Sequence, residues 1–194
     1  GIGILEQASP MIQEISKGRV LAPAAAGFVS LLSLANMGGR FFWSSLSDRI
    51  GRRAAYSTFF ALGAGLYASI PTVAATESVP LFVSVCVVVL TMYGGGFATI
   101  PAYLRDLFGT MQVGAIHGRL LTAWSIAGVL GPALVNYIRE YQIAHGVAKA
   151  DAYNITMVVM AGLLLLGFTA NLLVRAVDAR HDYKGALAAG GTHG

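Results

Sequence analysis

The chain has 194 residues, of which 56% are hydrophobic and 11% charged, and its formal net charge is +4. Soluble domains are about a quarter charged, so this composition excludes an ordinary water-facing surface and points to the membrane. The basic residues cluster between long apolar stretches, so they report membrane orientation rather than contact with nucleic acid.

Residues 1–15, GIGILEQASPMIQEI, come first. No basic segment precedes them and no small-residue cleavage site follows an apolar core, so they are not a signal peptide. They read as the end of a spanning helix whose beginning lies outside this chain, which is therefore expected to be a fragment. Glu6 is the only carboxyl candidate at membrane depth.

Residues 20–47 form the next predicted span. It is long enough to cross a bilayer, which takes about 20 apolar residues, and Arg40 is its single formal charge. Asp48 follows eight positions on, about 12 Å along a helix, so Arg40 lies not far from the midplane. A guanidinium there costs at least about 2.5–3.5 kcal/mol and is rarely left unpaired. Arg40 is expected to bind an anion. Asn36 lies one turn earlier on the same helix face and can orient it. Gly38 and Gly39 remove bulk beside it.

A short loop follows, S-S-L-S-D-R-I-G-R-R from Ser44 to Arg53. Gly51 supplies the tight turn, Asp48 can face a helix N-terminus or an arginine, and Arg49 and Arg52 meet anionic headgroups. Further spans are predicted at 54–76, 79–103, 116–138 and 152–175. Gly94, Gly95, Gly96 and Pro101 interrupt one, and Gly128, Gly131 and Pro132 another. Such positions suit a helix that bends during alternating access, or a close helix–helix contact. Residues 185–194 are expected to be a flexible tail.

Arg49, Arg52 and Arg53, then Arg105 and Arg119, then Arg175, Arg180 and Lys184 fall on one side of this arrangement. Lys17, Arg19, Arg139 and Lys149 fall on the other. The excess puts the first set, and the C-terminus, in the cytoplasm. Cys86 is the only cysteine and lies within a span, so no internal disulfide can form. The four histidines show no metal-ligand spacing, and there is neither a Walker-type phosphate loop nor a convincing nucleophile–base pair. The expectation is no enzyme, no metal and no cofactor.

The loop from Ser44 to Arg53 resembles the G-x-L-x-D-R-x-G-R-R signature of the major facilitator superfamily, with Ser44 in place of the first glycine. N-M-G-G-R, Y-G-G-G-F-A-T-I-P-A-Y-L-R-D-L-F-G and I-H-G-R-L-L-T-A-W-S-I-A-G-V-L-G-P resemble the oxalate:formate antiporter family within it. The resemblance implies an all-α membrane fold. Residues 1–184 are then the C-terminal half of a twelve-helix transporter, with its first helix truncated and its two helix triplets related as inverted repeats. It implies a carboxylate at Arg40, with Tyr93, Phe97 and Trp124 lining the cavity. Oxalate carriers of the family pair the arginine with a lysine on the eleventh helix, and by the T-A-W-S-I-A-G motif that position is Trp124 here.

The expected function is secondary transport of small mono- or dicarboxylates by alternating access, as antiport. Proton-coupled symport and a non-transporting membrane sensor are the alternatives. The expected partners are the carboxylate, the lipid bilayer of the cell (inner) membrane and the missing N-terminal half.

Overall fold

The computed structural model describes residues 2–16, 19–149 and 151–175. The expectation of a flexible tail lies outside them, as does the side chain of Glu6. Six helices make up the described residues: α1 (Ile2–Ile15), α2 (Ala22–Ile50), α3 (Arg52–Ala75), α4 (Val79–Phe108), α5 (Val113–Ala144) and α6 (Asn154–Leu173). The expected all-α class is what forms.

Proline in the first turn opens α2 and α4, where its missing N–H has no helical partner to lose. Gly51 alone separates α2 from α3, at a φ of 87° that a residue with a Cβ rarely adopts. Helices α4 and α5 outrun their predicted spans, α5 by six residues past position 138 to Ala144, whereas α6 falls two residues short of its predicted span at each end. Apolar composition ends at the edge of the hydrocarbon, whereas helical hydrogen bonding does not.

The helices α3, α4, α5 and α6 are long and apolar enough to cross a membrane. At 29 residues α2 has the length but falls below them in hydropathy, because Ser30, Ser33, Asn36 and Arg40 dilute its apolar residues.

The tightest seam joins α2 to α4. A Cβ on Gly39 would stand 2.1 Å from the Thr91 carbonyl oxygen, one on Gly94 would stand 2.0 Å from the Asn36 carbonyl oxygen, and one on Gly95 would stand 2.4 Å from the Trp43 Cβ. Backbone meets backbone there, and only glycine fits. The Trp43 indole N–H donates to Thr91 Oγ1 at 3.2 Å across the same seam. On the outer side of this pair, α3 packs along α6. Tyr103 of α4 donates to Asn171 Oδ1 at 2.9 Å, and Asn171 Nδ2 donates to Ser57 Oγ at 3.0 Å, which stitches α3, α4 and α6 together.

The core between these helices is built on Met11, Phe28, Leu32, Ile70, Phe82 and Leu90. Helix α5 adds only Val135 and Gln142 to the buried set. Exchanging α1, α2 and α3 for α4, α5 and α6 maps the α2–α4 seam onto the α1–α5 contact and leaves α3–α6 unchanged. Among the described residues, the α3–α4 contact has no such counterpart between α1 and α6.

Candidate anion site

The α2–α4 seam decides what surrounds Arg40. Because Gly39 and Gly94 let the two backbones touch, the next residue of α2, Arg40, lies beside Phe97, one turn along α4 from Gly94. Its guanidinium carbon lies 5.7 Å from the centre of the Phe97 ring, within cation–π range. Phe97 in turn packs on Trp124 of α5, with ring centres 5.6 Å apart and planes inclined at 55°. The Trp124 indole N–H donates to the Tyr93 hydroxyl at 3.3 Å, one turn back along α4.

Four of the five residues expected to bind substrate thus form one connected group: Arg40, Phe97, Trp124 and Tyr93. Asn36 is half-buried one turn from Arg40, and its carbonyl packs on Gly94. Among the described residues, Arg40 has no salt-bridge or hydrogen-bond partner, and it is exposed. Its five N–H donors are therefore available to an anion, while the ring of Phe97 keeps water from one face.

A cavity of about 350 Å³ lies behind the aromatic group, between α3, α4, α5 and α6. Tyr93, Phe97 and Trp124 form part of its wall, together with Phe59 and His117, but Arg40 does not. The cavity wall is almost wholly apolar. It does not suit a carboxylate, which leaves the Arg40 side of the aromatic group, and not this cavity, as the candidate anion site.

The loop motif ties four helices at one end of the bundle. Arg52 donates to the Asp48 carboxylate and to Ser47 Oγ, and its Nε lies 3.8 Å from Asp106 at the end of α4. Arg53 donates to the Leu172 carbonyl of α6. Arg49 is exposed. Asp106 was not singled out from the sequence, although it lies in the quoted Y-L-R-D-L-F-G segment.

Gly94 and Gly95 sit in the helix seam, and α4 runs unbroken through both. Gly96 makes only ordinary contact with Phe59, at 3.8 Å, and its carbonyl accepts the Tyr56 hydroxyl at 2.6 Å. Pro101 and Pro132 lie inside α4 and α5 without ending them. Each lacks the N–H that would bond four residues back, to Phe97 and to Gly128 respectively. Gly131 faces open space.

Sequence reasoning also missed a polar group at the opposite end. Arg139 of α5 donates to the Glu14 carboxylate of α1, and its guanidinium carbon lies 5.4 Å from the centre of the Tyr153 ring. Gln7 Nε2 donates to Asn136 Oδ1 at 3.0 Å. The available signal was the spacing of Asn136, Arg139 and Gln142, three apart along one helix.

The family model of the Major Facilitator Superfamily matches residues 7–190. The chain belongs to that superfamily. This facilitator chain is accordingly an integral, multi-pass membrane protein, and its six helices are part of a major facilitator fold. Over 120 residues it is 34% identical to an oxalate:formate antiporter of Oxalobacter formigenes, an alignment that covers 60% of this chain and 28% of that protein. The chain therefore spans little more than a quarter of the length of the curated relative it matches. No solved structure matches it.

Proposed function

We propose that this chain is the C-terminal half of a secondary transporter of small organic anions, with Arg40 as the anion anchor. The observation that carries the reading is Arg40 itself: a guanidinium on a long membrane helix, without an ion partner among the described residues, set against Phe97, Trp124 and Tyr93. Such a charge is costly in a membrane until an anion covers it. The antiporter relative extends the proposal to mono- or dicarboxylates of the oxalate and formate kind.

The Trp124 indole offers one N–H and no charge, so Arg40 supplies the cation of this half by itself. That favours a single carboxylate per site, or a dicarboxylate whose second group is met by other parts of the protein. Exchange of one anion for another is the coupling that suits an anchor of this kind, because an arginine that cannot cross uncovered must carry one substrate in each direction. The cell (inner) membrane, with the Asp48–Arg53 loop and the C-terminus on the cytoplasmic side, is the placement that the basic residues favour.

The test is efflux from liposomes that contain the full-length protein, preloaded with a labelled carboxylate and supplied with a panel of external ones. Trans-stimulated efflux that ignores an imposed pH gradient supports anion exchange. Concentrative uptake into empty vesicles driven by the gradient overturns exchange in favour of proton symport. Absence of any flux overturns transport in favour of a sensor.

A further inference from the structure

Helix α5 is held very differently at its two ends. Near its end at Ala144, three residues spaced three apart tie it to its neighbours: Asn136 to Gln7 of α1, Arg139 to Glu14 of α1, and Gln142, through Nε2, to the Ala152 carbonyl at 3.0 Å. Val135, the one buried apolar residue of α5, lies in the same stretch. Towards the other end, the tie is the Trp124–Tyr93 hydrogen bond and the tilted ring contact of Trp124 with Phe97. Between these points α5 runs past two cavities. His117, Leu120, Leu121 and Trp124 border the cavity of about 350 Å³, and residues from Ala127 to Val135 border a second of about 310 Å³ shared with α1 and α6. The pseudo-equivalent α2–α4 seam has backbone touching backbone instead.

The three-residue group near Ala144 also has spare polar capacity. Of five buried side-chain polar atoms without a hydrogen-bond partner among the described residues, four lie in or beside it: Glu14 Oε2, Arg139 Nε, Tyr153 Oη and Thr156 Oγ1. The Tyr153 hydroxyl sits between Glu14 and Arg139 and interacts with both. A dry, interlocked contact resists tilting because any shift leaves voids or clashes. A polar cluster with unused donors and acceptors can exchange partners as a helix tilts, so no group is stranded.

We propose that α5 is a lever that pivots on the Asn136–Arg139–Gln142 clamp, while α2 and α4 stay locked together. Its far end, from Val113 to Trp124, swings into and out of the larger cavity. Trp124 then makes and breaks its contacts with Tyr93 and Phe97 beside Arg40, which links occupancy of the anion site to the position of α5. This rests on the anion-anchor reading for its link to Arg40, but the motion itself does not.

Two measurements on the full-length protein in a Cys86→Ala background test it. The first is the distance between spin labels, in lipid nanodiscs without substrate. Labels at Ala115 and Ile50, both exposed, report the far end of α5 against α2; labels at Glu140 and Leu21, also exposed, report the clamped end. A broad or two-peaked distribution for the first pair with a single narrow peak for the second is the expected result. Equal widths, or the broader distribution at the clamped end, overturn the lever.

The second measurement is flux across crosslinks. A disulfide between Gln7→Cys and Asn136→Cys is expected to leave exchange within about twofold of its reduced form. Cysteines at Ile100 and Leu121, across the larger cavity, bridged by a bifunctional thiol reagent, are expected to lower it more than tenfold. Loss of exchange at the first crosslink, or full exchange through the second, overturns the pivot. If the Cys86→Ala parent carries no anion at all, the transport reading fails and the spin-label distances still decide the lever.

Discussion

The Arg40 guanidinium faces the Phe97 ring at 5.7 Å, one turn beyond the glycine contact that fixes α2 against α4. The seam that Gly39 and Gly94 close fixes the backbones that carry both residues. The candidate site therefore presents a guanidinium with one face against an aromatic ring and, among the described residues, no hydrogen-bond or ion partner.

Removing that charge should remove function. Arg40→Ala is expected to abolish carboxylate flux, and Arg40→Lys to lower it by about tenfold, since lysine keeps the charge but not the two-pronged hydrogen bonding. Uptake by reconstituted full-length protein, normalised to the amount inserted, is the measurement. Flux like that of the native sequence in Arg40→Ala would remove Arg40 from the site.

Trp124→Lys adds a second cation within reach of the aromatic group. The expected outcome is a shift of preference from mono- towards dicarboxylates of about tenfold, which corresponds to about 1.4 kcal/mol. Competition by acetate-like and oxalate-like anions against one labelled substrate reads it out. An unchanged ratio would mean that Trp124 does not face the anion.

The helix seam predicts a contrast between glycines. A methyl group at Gly95 would meet the Trp43 side chain at 2.4 Å, whereas one at Gly131 meets nothing within 4 Å. Gly95→Ala should therefore destabilise the protein by about 1–3 kcal/mol through overpacking, and Gly131→Ala should leave it unchanged or slightly stabilised. Thermal unfolding in detergent, followed by accessibility of the buried Cys86 thiol, distinguishes the two. Equal midpoints would show that the seam is slack.

Orientation is open to a labelling experiment. Cysteines at the exposed positions Arg49 and Thr110 should resist an impermeant thiol reagent in intact cells, and one at Lys149 should react. The opposite pattern would invert the topology.

Much of this was legible in the chain. Uninterrupted apolar stretches mark the helices, and one arginine inside such a stretch marks the candidate site. The aromatic companions at Tyr93, Phe97 and Trp124 could be named because helical spacing and motif resemblance both place them near it. What was not legible depends on which helices cross. Glycine at positions 94 and 95 signals a weak helix former as readily as a close contact, and only the approach of Asn36 and Trp43 separates the two. The Glu14–Arg139 tie joins residues 125 apart in sequence, and Arg139 sits just past the end of an apolar span, where composition assigns it to a loop. The cavities beside α5 are properties of packing, and no local pattern encodes them.

The glycine seam has one more consequence. Arg40 is mounted on the least deformable contact in the bundle, between Gly39 and Trp43, both of which are locked to α4. Whatever opens and closes around it, the anchor and its Phe97 backing travel as one piece. If Arg40 holds a carboxylate as proposed, the affinity that this piece lends should be the same from either side of the membrane, so any asymmetry between inward and outward binding must arise in the walls that move and not in the charge that waits.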